Sequence, residues 1–158
     1  MSNNQTTIPS LGWALIGCGG AGNRHTQWAM STPGVEIHGF CDKLIGSAER
    51  FHQKYGGSYY TTDPERIFTD SSIDIVSIAT SHHSHADLAV AACNARKHLF
   101  LEKPMAMTTS DSSIIGFLYL NSEAYSTSTG TLAISSKRYS PTKPACQEVP
   151  QAMIMILF

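Results

Sequence analysis

The chain has 158 residues, a net charge of −1 and only 15% charged residues, which suits one domain with a real core. No basic stripe points to nucleic acid, and no apolar run is long enough to span a membrane. Cys18, Cys41, Cys93 and Cys146 lie far apart with no C-x-x-C pair, so a zinc site or disulfide framework is not expected and a reducing, cytoplasmic setting is.

Residues 1–9 lack a basic region followed by an apolar stretch and read as a disordered lead-in rather than a secretory signal. Gly12 to Ile16 forms an apolar first strand, and Gly17-Cys18-Gly19-Gly20-Ala21-Gly22 follows it in G-x-G-x-x-G spacing. The first glycine allows a tight turn, the second lets backbone approach a pyrophosphate, and the third lets the next helix pack closely. A helix over Asn23–Ser31 would offer its free N–H groups to those phosphates. Pro33-Gly34 turns the chain into a second strand, Val35 to Asp42.

Asp42 stands twenty residues after Gly22. A dinucleotide-binding βαβ unit places there the carboxylate that accepts hydrogen bonds from the adenosine ribose. An Asp favours NAD because it repels a 2′-phosphate; Lys43 softens that preference and leaves NADP open.

Ser47 to Tyr55 reads as a helix ended by Gly56-Gly57, Ser58 to Thr61 as a short strand, and Asp63-Pro64 as the capped start of a helix to Phe68. Ile73 to Ala79 is nearly continuously apolar, as in a central parallel strand covered on both faces. A helix over Ser84–Ala95 presents Ala86, Ala89, Val90 and Cys93 to the core, and Lys97 to Leu101 is the fifth strand. From Thr108 to Gly130 ten of twenty-three residues are Ser or Thr, with Ile114, Ile115, Leu118 and Leu120 still compatible with a helix. Thr131 to Ser135 reads as a sixth strand, followed by a proline-containing tail without a clear period. The alternation predicts an α/β fold: a three-layer, Rossmann-type arrangement around a mainly parallel six-stranded sheet.

Leu101-Glu102-Lys103-Pro104 resembles the Glu-Lys-Pro signature of the Gfo/Idh/MocA oxidoreductases, and residues 75–86, Ile-Val-Ser-Ile-Ala-Thr-Ser-His-His-Ser-His-Ala, resemble the family's fourth-strand segment. With the glycine turn and Asp42, the resemblance covers roughly residues 10 to 107. It implies an NAD(P)-binding domain whose family transfers hydride between the nicotinamide and a sugar, inositol or similar polyol. Lys103 matches the catalytic lysine, whose ammonium can hydrogen-bond the reacting oxygen. Gly17, Gly19, Gly20, Ala21, Gly22, Asn23, Asp42, Lys43, Thr80, His82, His85, Glu102 and Lys103 form the implied cofactor set. A cis Lys103–Pro104 bond is also implied. The histidines lack a cysteine or carboxylate that would complete a metal site.

Four departures stand out. Arg96 occupies a helix-end position where the family has Gly, and Ser81 replaces a proline. Residues 108–130 lack a charged amphipathic helix. The family's second domain, with its catalytic histidine and acid, has no counterpart. The expected organisation is a dinucleotide-binding domain over 10–136 and, over 137–158, an incomplete lead into that second domain. The face left open would favour self-association or a partner chain. A non-catalytic nucleotide-binding module and an inactive remnant are the alternative readings.

Overall fold

In the computed structural model, the described residues are 10–104, 107 and the strand segments 122–126, 132–136 and 153–156. The chain runs β1 (Leu11–Ile16), α1 (Gly20–Ser31), β2 (Val35–Cys41), α2 (Ile45–Tyr55), β3 (Tyr59–Thr61), α3 (Pro64–Thr69), β4 (Ile75–Ile78), a 3₁₀ turn (His82–Ser84), α4 (His85–Asn94) and β5 (His98–Leu101). These five strands pair in the order β3-β2-β1-β4-β5, every pair parallel. The order reverses between β1 and β4, which opens a crevice at the carboxyl ends of the strands, where folds of this topology bind ligands.

Alternation along β1 divides the core into two layers. Trp13 and Leu15 pack with Phe40 of β2, Ala29 of α1 and Ala48 of α2. Ala14 and Ile16 face the other way, with Ile67 and Phe68 of α3, Val76 and Ile78 of β4, and Ala89, Ala92 and Cys93 of α4. Trp13, Leu15, Phe40, Ile78 and Leu99 are all essentially fully buried, each contributing about 1.5–3 kcal/mol from the side-chain area removed from water. Ala92 takes the buried position expected of Val90, which is only half-buried.

Helix α3 starts as its sequence requires: Asp63 accepts the Glu65 N–H at 3.0 Å with Pro64 in the first turn. Helix α1 begins at Gly20 rather than Asn23, so the glycine turn itself supplies the first helical turn. Arg96 does adopt a left-handed conformation, φ 59°, immediately after α4.

The expected six-strand sheet is corrected. The parallel Rossmann core holds five strands, and three more extend it: β6 (Ser122–Ser126), β7 (Leu132–Ser136) and β8 (Met153–Ile156). The segment expected as the sixth strand is β7, but it does not lie beside β5. That position belongs to β8, parallel to β5, with β7 and β6 added antiparallel. The uninterrupted Met-Ile-Met-Ile run of β8 has the continuous apolar pattern of an interior parallel strand, whereas β7 ends in two serines. Ser122 to Ser126 is strand; the helix expected around Ile114 to Leu120 falls outside the described residues. Among the described residues no helix is long and apolar enough to cross a membrane.

Candidate cofactor site

Strands β1, β2, β4 and β5 all end at one edge, and each delivers a residue of the expected set. At the end of β1, Gly17 has φ 102°, and a Cβ there would lie 2.5 Å from the Ala79 carbonyl oxygen and 2.8 Å from the Thr80 nitrogen. The turn therefore presses against the end of β4, which only glycine permits. A Cβ at Gly22 would collide with the Gly17 carbonyl and lie 2.9 Å from Leu15 Cδ2, so the third glycine seats α1 on β1. Gly19 and Gly20 are the opposite case: a Cβ at either meets nothing within 4 Å. Gly19 caps α1 without any side-chain hydrogen bond. The first turn of α1 has N–H groups without helical partners, and the space beside Gly19 and Gly20, where it begins, is open.

Asp42 lies at the end of β2 with both carboxylate oxygens on backbone. Oδ2 accepts the Cys18 N–H at 2.8 Å and Oδ1 accepts the Leu44 N–H at 2.9 Å. One side chain thereby joins the glycine turn to the start of α2, and each oxygen keeps a second lone pair for a hydroxyl donor. Lys43 is exposed beside it. The Cys18 thiol, inside the turn, donates to the Cys41 carbonyl at 3.6 Å. Burial, with the nearby Asp42 and Cys41, pushes that thiol far above its ordinary range, so it is inert at neutral pH.

Asn23 is committed elsewhere: its side-chain oxygen accepts from the Tyr55 hydroxyl and, at 3.1 Å, from the Lys54 ammonium. It ties α1 to α2.

At the end of β4, the Thr80 hydroxyl bonds Ser84 Oγ at 2.8 Å. His85 is fully buried, with Nε2 3.1 Å from the Thr80 carbonyl and Nδ1 2.9 Å from the Pro104 carbonyl. Its ring joins the segments that follow β4 and β5. His82 is exposed, edge-on to His85 with ring centroids 5.7 Å apart. Among the described residues no group of three His, Cys, Asp or Glu could hold a metal ion.

At the end of β5 the Lys103–Pro104 bond is cis. Glu102 is mostly buried and Lys103 exposed. Glu102 Oε2 accepts the Lys103 N–H at 3.0 Å, and Oε1 lies 3.3 Å from both the Arg24 guanidinium and His25 Nε2. Burial pushes this carboxyl up, but the Lys103 N–H, His25 and Arg24 outweigh it and hold it below the usual carboxylate range. His25 and Ser77 were not singled out by sequence. His25 Nδ1 meets Ser77 Oγ at 2.7 Å, and its ring lies edge-on to Phe100. The one available signal was Ser77 itself, a polar residue inside the apolar β4 run.

Residues 11–116 match the family described as "Oxidoreductase family, NAD-binding Rossmann fold". The chain is 36% identical over 99 residues to inositol 2-dehydrogenase of Salmonella typhimurium (strain LT2), covering 61% of this chain and 30% of that protein. It is 42% identical to levoglucosan dehydrogenase of Pseudarthrobacter phenanthrenivorans over 66% of this chain and 29% of that one. A solved levoglucosan dehydrogenase, in complex with NADH and levoglucosan, superposes with a TM-score of 0.64 at 30% identity, covering 67% of this chain and 31% of its own. The chain thus spans about 30% of the length of the curated relatives it matches. The cradle, the strand order and the residue match agree: this chain belongs to the Gfo/Idh/MocA oxidoreductase family and carries its NAD-binding Rossmann fold.

Proposed function

We propose that the chain binds NAD across the carboxyl edge of β1, β2, β4 and β5 and forms the cofactor half of an oxidoreductase acting on a cyclic polyol or sugar. The observation that carries this reading is the open cradle at Gly19 and Gly20 beside an Asp42 held by two backbone N–H groups. The first turn of α1 would bind the pyrophosphate, and Asp42 the adenosine ribose hydroxyls. Thr80, His82, His85 and Glu102 would border the nicotinamide half. When bound, the nicotinamide supplies the hydride acceptor or donor. Lys103 would hold its proton at Nζ and hydrogen-bond the substrate oxygen, stabilising alkoxide character. The substrate class rests on the relatives named for inositol and levoglucosan.

Titrating the chain with NADH while following nicotinamide fluorescence tests the binding reading; saturable binding that weakens in Asp42→Ala is expected, and none in a folded sample overturns it. Hydride transfer with inositol and levoglucosan, lost in Lys103→Ala while NADH still binds, is the expected signature of the catalytic assignment. Binding without any transfer, in the unaltered chain, would instead mark a nucleotide-binding module.

A further inference from the structure

Glu102 joins two parts of the site that the sequence separates widely. Its Oε2 fixes the backbone N–H of Lys103, and its Oε1 faces Arg24 and His25, neighbours on the helix that begins at the glycine turn. Arg24 is largely exposed, with 70% of its side chain in contact with solvent, so water screens its pairing. His25 is only 2% exposed and is gripped on every side. Its Nδ1 meets Ser77 Oγ, its ring edges against Phe100, and Nε2 points to the carboxylate. That last approach is close, 3.3 Å, but poorly aligned for a hydrogen bond, so it acts as an electrostatic contact.

We propose that His25 is a positioning residue: anchored by Ser77 and Phe100, it holds the Glu102 carboxylate on the Lys103 N–H, so that helix α1 and the lysine segment keep one relative placement. The purpose of this coupling rests on the function proposed above. The coupling itself is a property of the chain alone. Its geometry assigns a tautomer: Nε2 carries the proton toward the carboxylate, and Nδ1 accepts from the Ser77 hydroxyl. The phosphate grip at one end of the cofactor is thereby tied mechanically to the residue placed for chemistry at the other end.

The backbone amide of Lys103 reports the state of Glu102, because an N–H bonded to a carboxylate shifts as that carboxylate is protonated. In the unaltered chain the ¹H shift of this amide should titrate with a midpoint below the ordinary carboxylate range. The titratable and charged groups facing Glu102 among the described residues are the His25 imidazole and the Arg24 guanidinium. His25→Phe keeps a ring against Phe100 but removes both nitrogens; the midpoint should rise by about half to one pH unit as the carboxylate loses the imidazole N–H that faces it. Ser77→Ala, which frees the ring from its anchor, should move it the same way by less, and it decides the question if His25→Phe does not fold. A folded His25→Phe whose Lys103 amide keeps the original midpoint overturns the proposal, as does an unmoved midpoint in Ser77→Ala where that variant decides. NADH titration runs on the same samples. Failure of the unaltered chain to bind would sink the proposed function and leave the amide titration to judge the coupling separately.

Discussion

The carboxylate of Asp42 and the backbone N–H of Cys18 meet at 2.8 Å, which makes the residue expected to bind ribose also a structural clasp on the glycine turn. Asp42→Asn keeps an acceptor for one of the two backbone donors, whereas Asp42→Ala keeps none. Hydrogen bonds to a charged acceptor are worth about 1.5–3 kcal/mol each. The Leu44 bond is exposed and its loss is largely made good by water, so urea unfolding should show Asp42→Ala losing about 2–3 kcal/mol, mostly through the Cys18 bond, with Asn intermediate. NADH affinity should fall in both variants, more than tenfold in Ala, an amount of about 1.4 kcal/mol or more.

The glycines separate into two kinds, and alanine at each kind should have a different effect. Gly22→Ala drives a methyl into the Gly17 carbonyl and Leu15, and should cost about 1–3 kcal/mol of stability. Gly19→Ala meets open space and has φ −103°, so stability should change by no more than about 0.5 kcal/mol. Its methyl would occupy the phosphate's place, and NADH binding should drop while the unfolding midpoint holds. A Gly19→Ala variant that binds normally would remove the phosphate from this turn.

Arg96 sits at φ 59° where a glycine would be unstrained. The left-handed conformation costs a side-chain-bearing residue about 1–2 kcal/mol. Arg96→Gly gives back part of that gain through the greater entropy of its unfolded chain and the loss of the arginine's contacts. The net expectation is a stabilisation of about 0.5–1 kcal/mol, read as a rise of about 1–4 °C in thermal midpoint.

Acidification should lower the stability of the chain, through His25 and, at lower pH, through Glu102. Burial lowers His25 from its ordinary 6.5, outweighing the opposing pull of Glu102. Glu102 is itself held below its ordinary 4.5, by the Lys103 N–H, His25 and Arg24 against the opposing effect of burial. In both cases the unfolded chain takes up the proton more readily than the folded one. Stability is therefore full above the ordinary values and falls as pH drops, from about 6.5 downward through His25 and below about 4.5 through Glu102. Each unit of depression is worth about 1.4 kcal/mol. Urea midpoints measured at about pH 7, 5.5 and 4 should decline, and His25→Gln should flatten the first interval. An unchanged slope in that variant would assign the loss to other histidines.

Local signals were enough to read much of this fold. The glycine turn, Asp63-Pro64, the Gly56-Gly57 stop and the apolar run of β4 each have a short-range physical cause, and each element lies within a few residues of its expected place. The position of Asp42 was legible because a βαβ unit has a fixed span. Strand order beyond β5 was not legible. Nothing local in Leu132–Ser136 says that a more apolar segment twenty residues later will take the place beside β5. His25 was hidden for the same reason, since its partners Ser77 and Glu102 are 52 and 77 positions away. Asn23 was read as a phosphate neighbour, and only the packing of α2 beside α1 reveals that Tyr55 and Lys54 hold its oxygen.

The two tryptophans occupy contrasting surroundings. Trp13 is wholly buried against Phe40, and its indole N–H has no hydrogen-bond partner among the described residues. Trp28 is 42% exposed on α1 and lies flat on Phe100, two residues before Glu102. The chain thus carries two optical gauges of different reach: a blue-emitting one in the core that responds to global unfolding, and a redder one on the helix surface that senses displacement of α1 relative to β5. With Trp28→Phe as the reference, the difference signal isolates the second gauge. Motion at the junction between phosphate turn and lysine segment can then be timed in the chain's own fluorescence, without an added label.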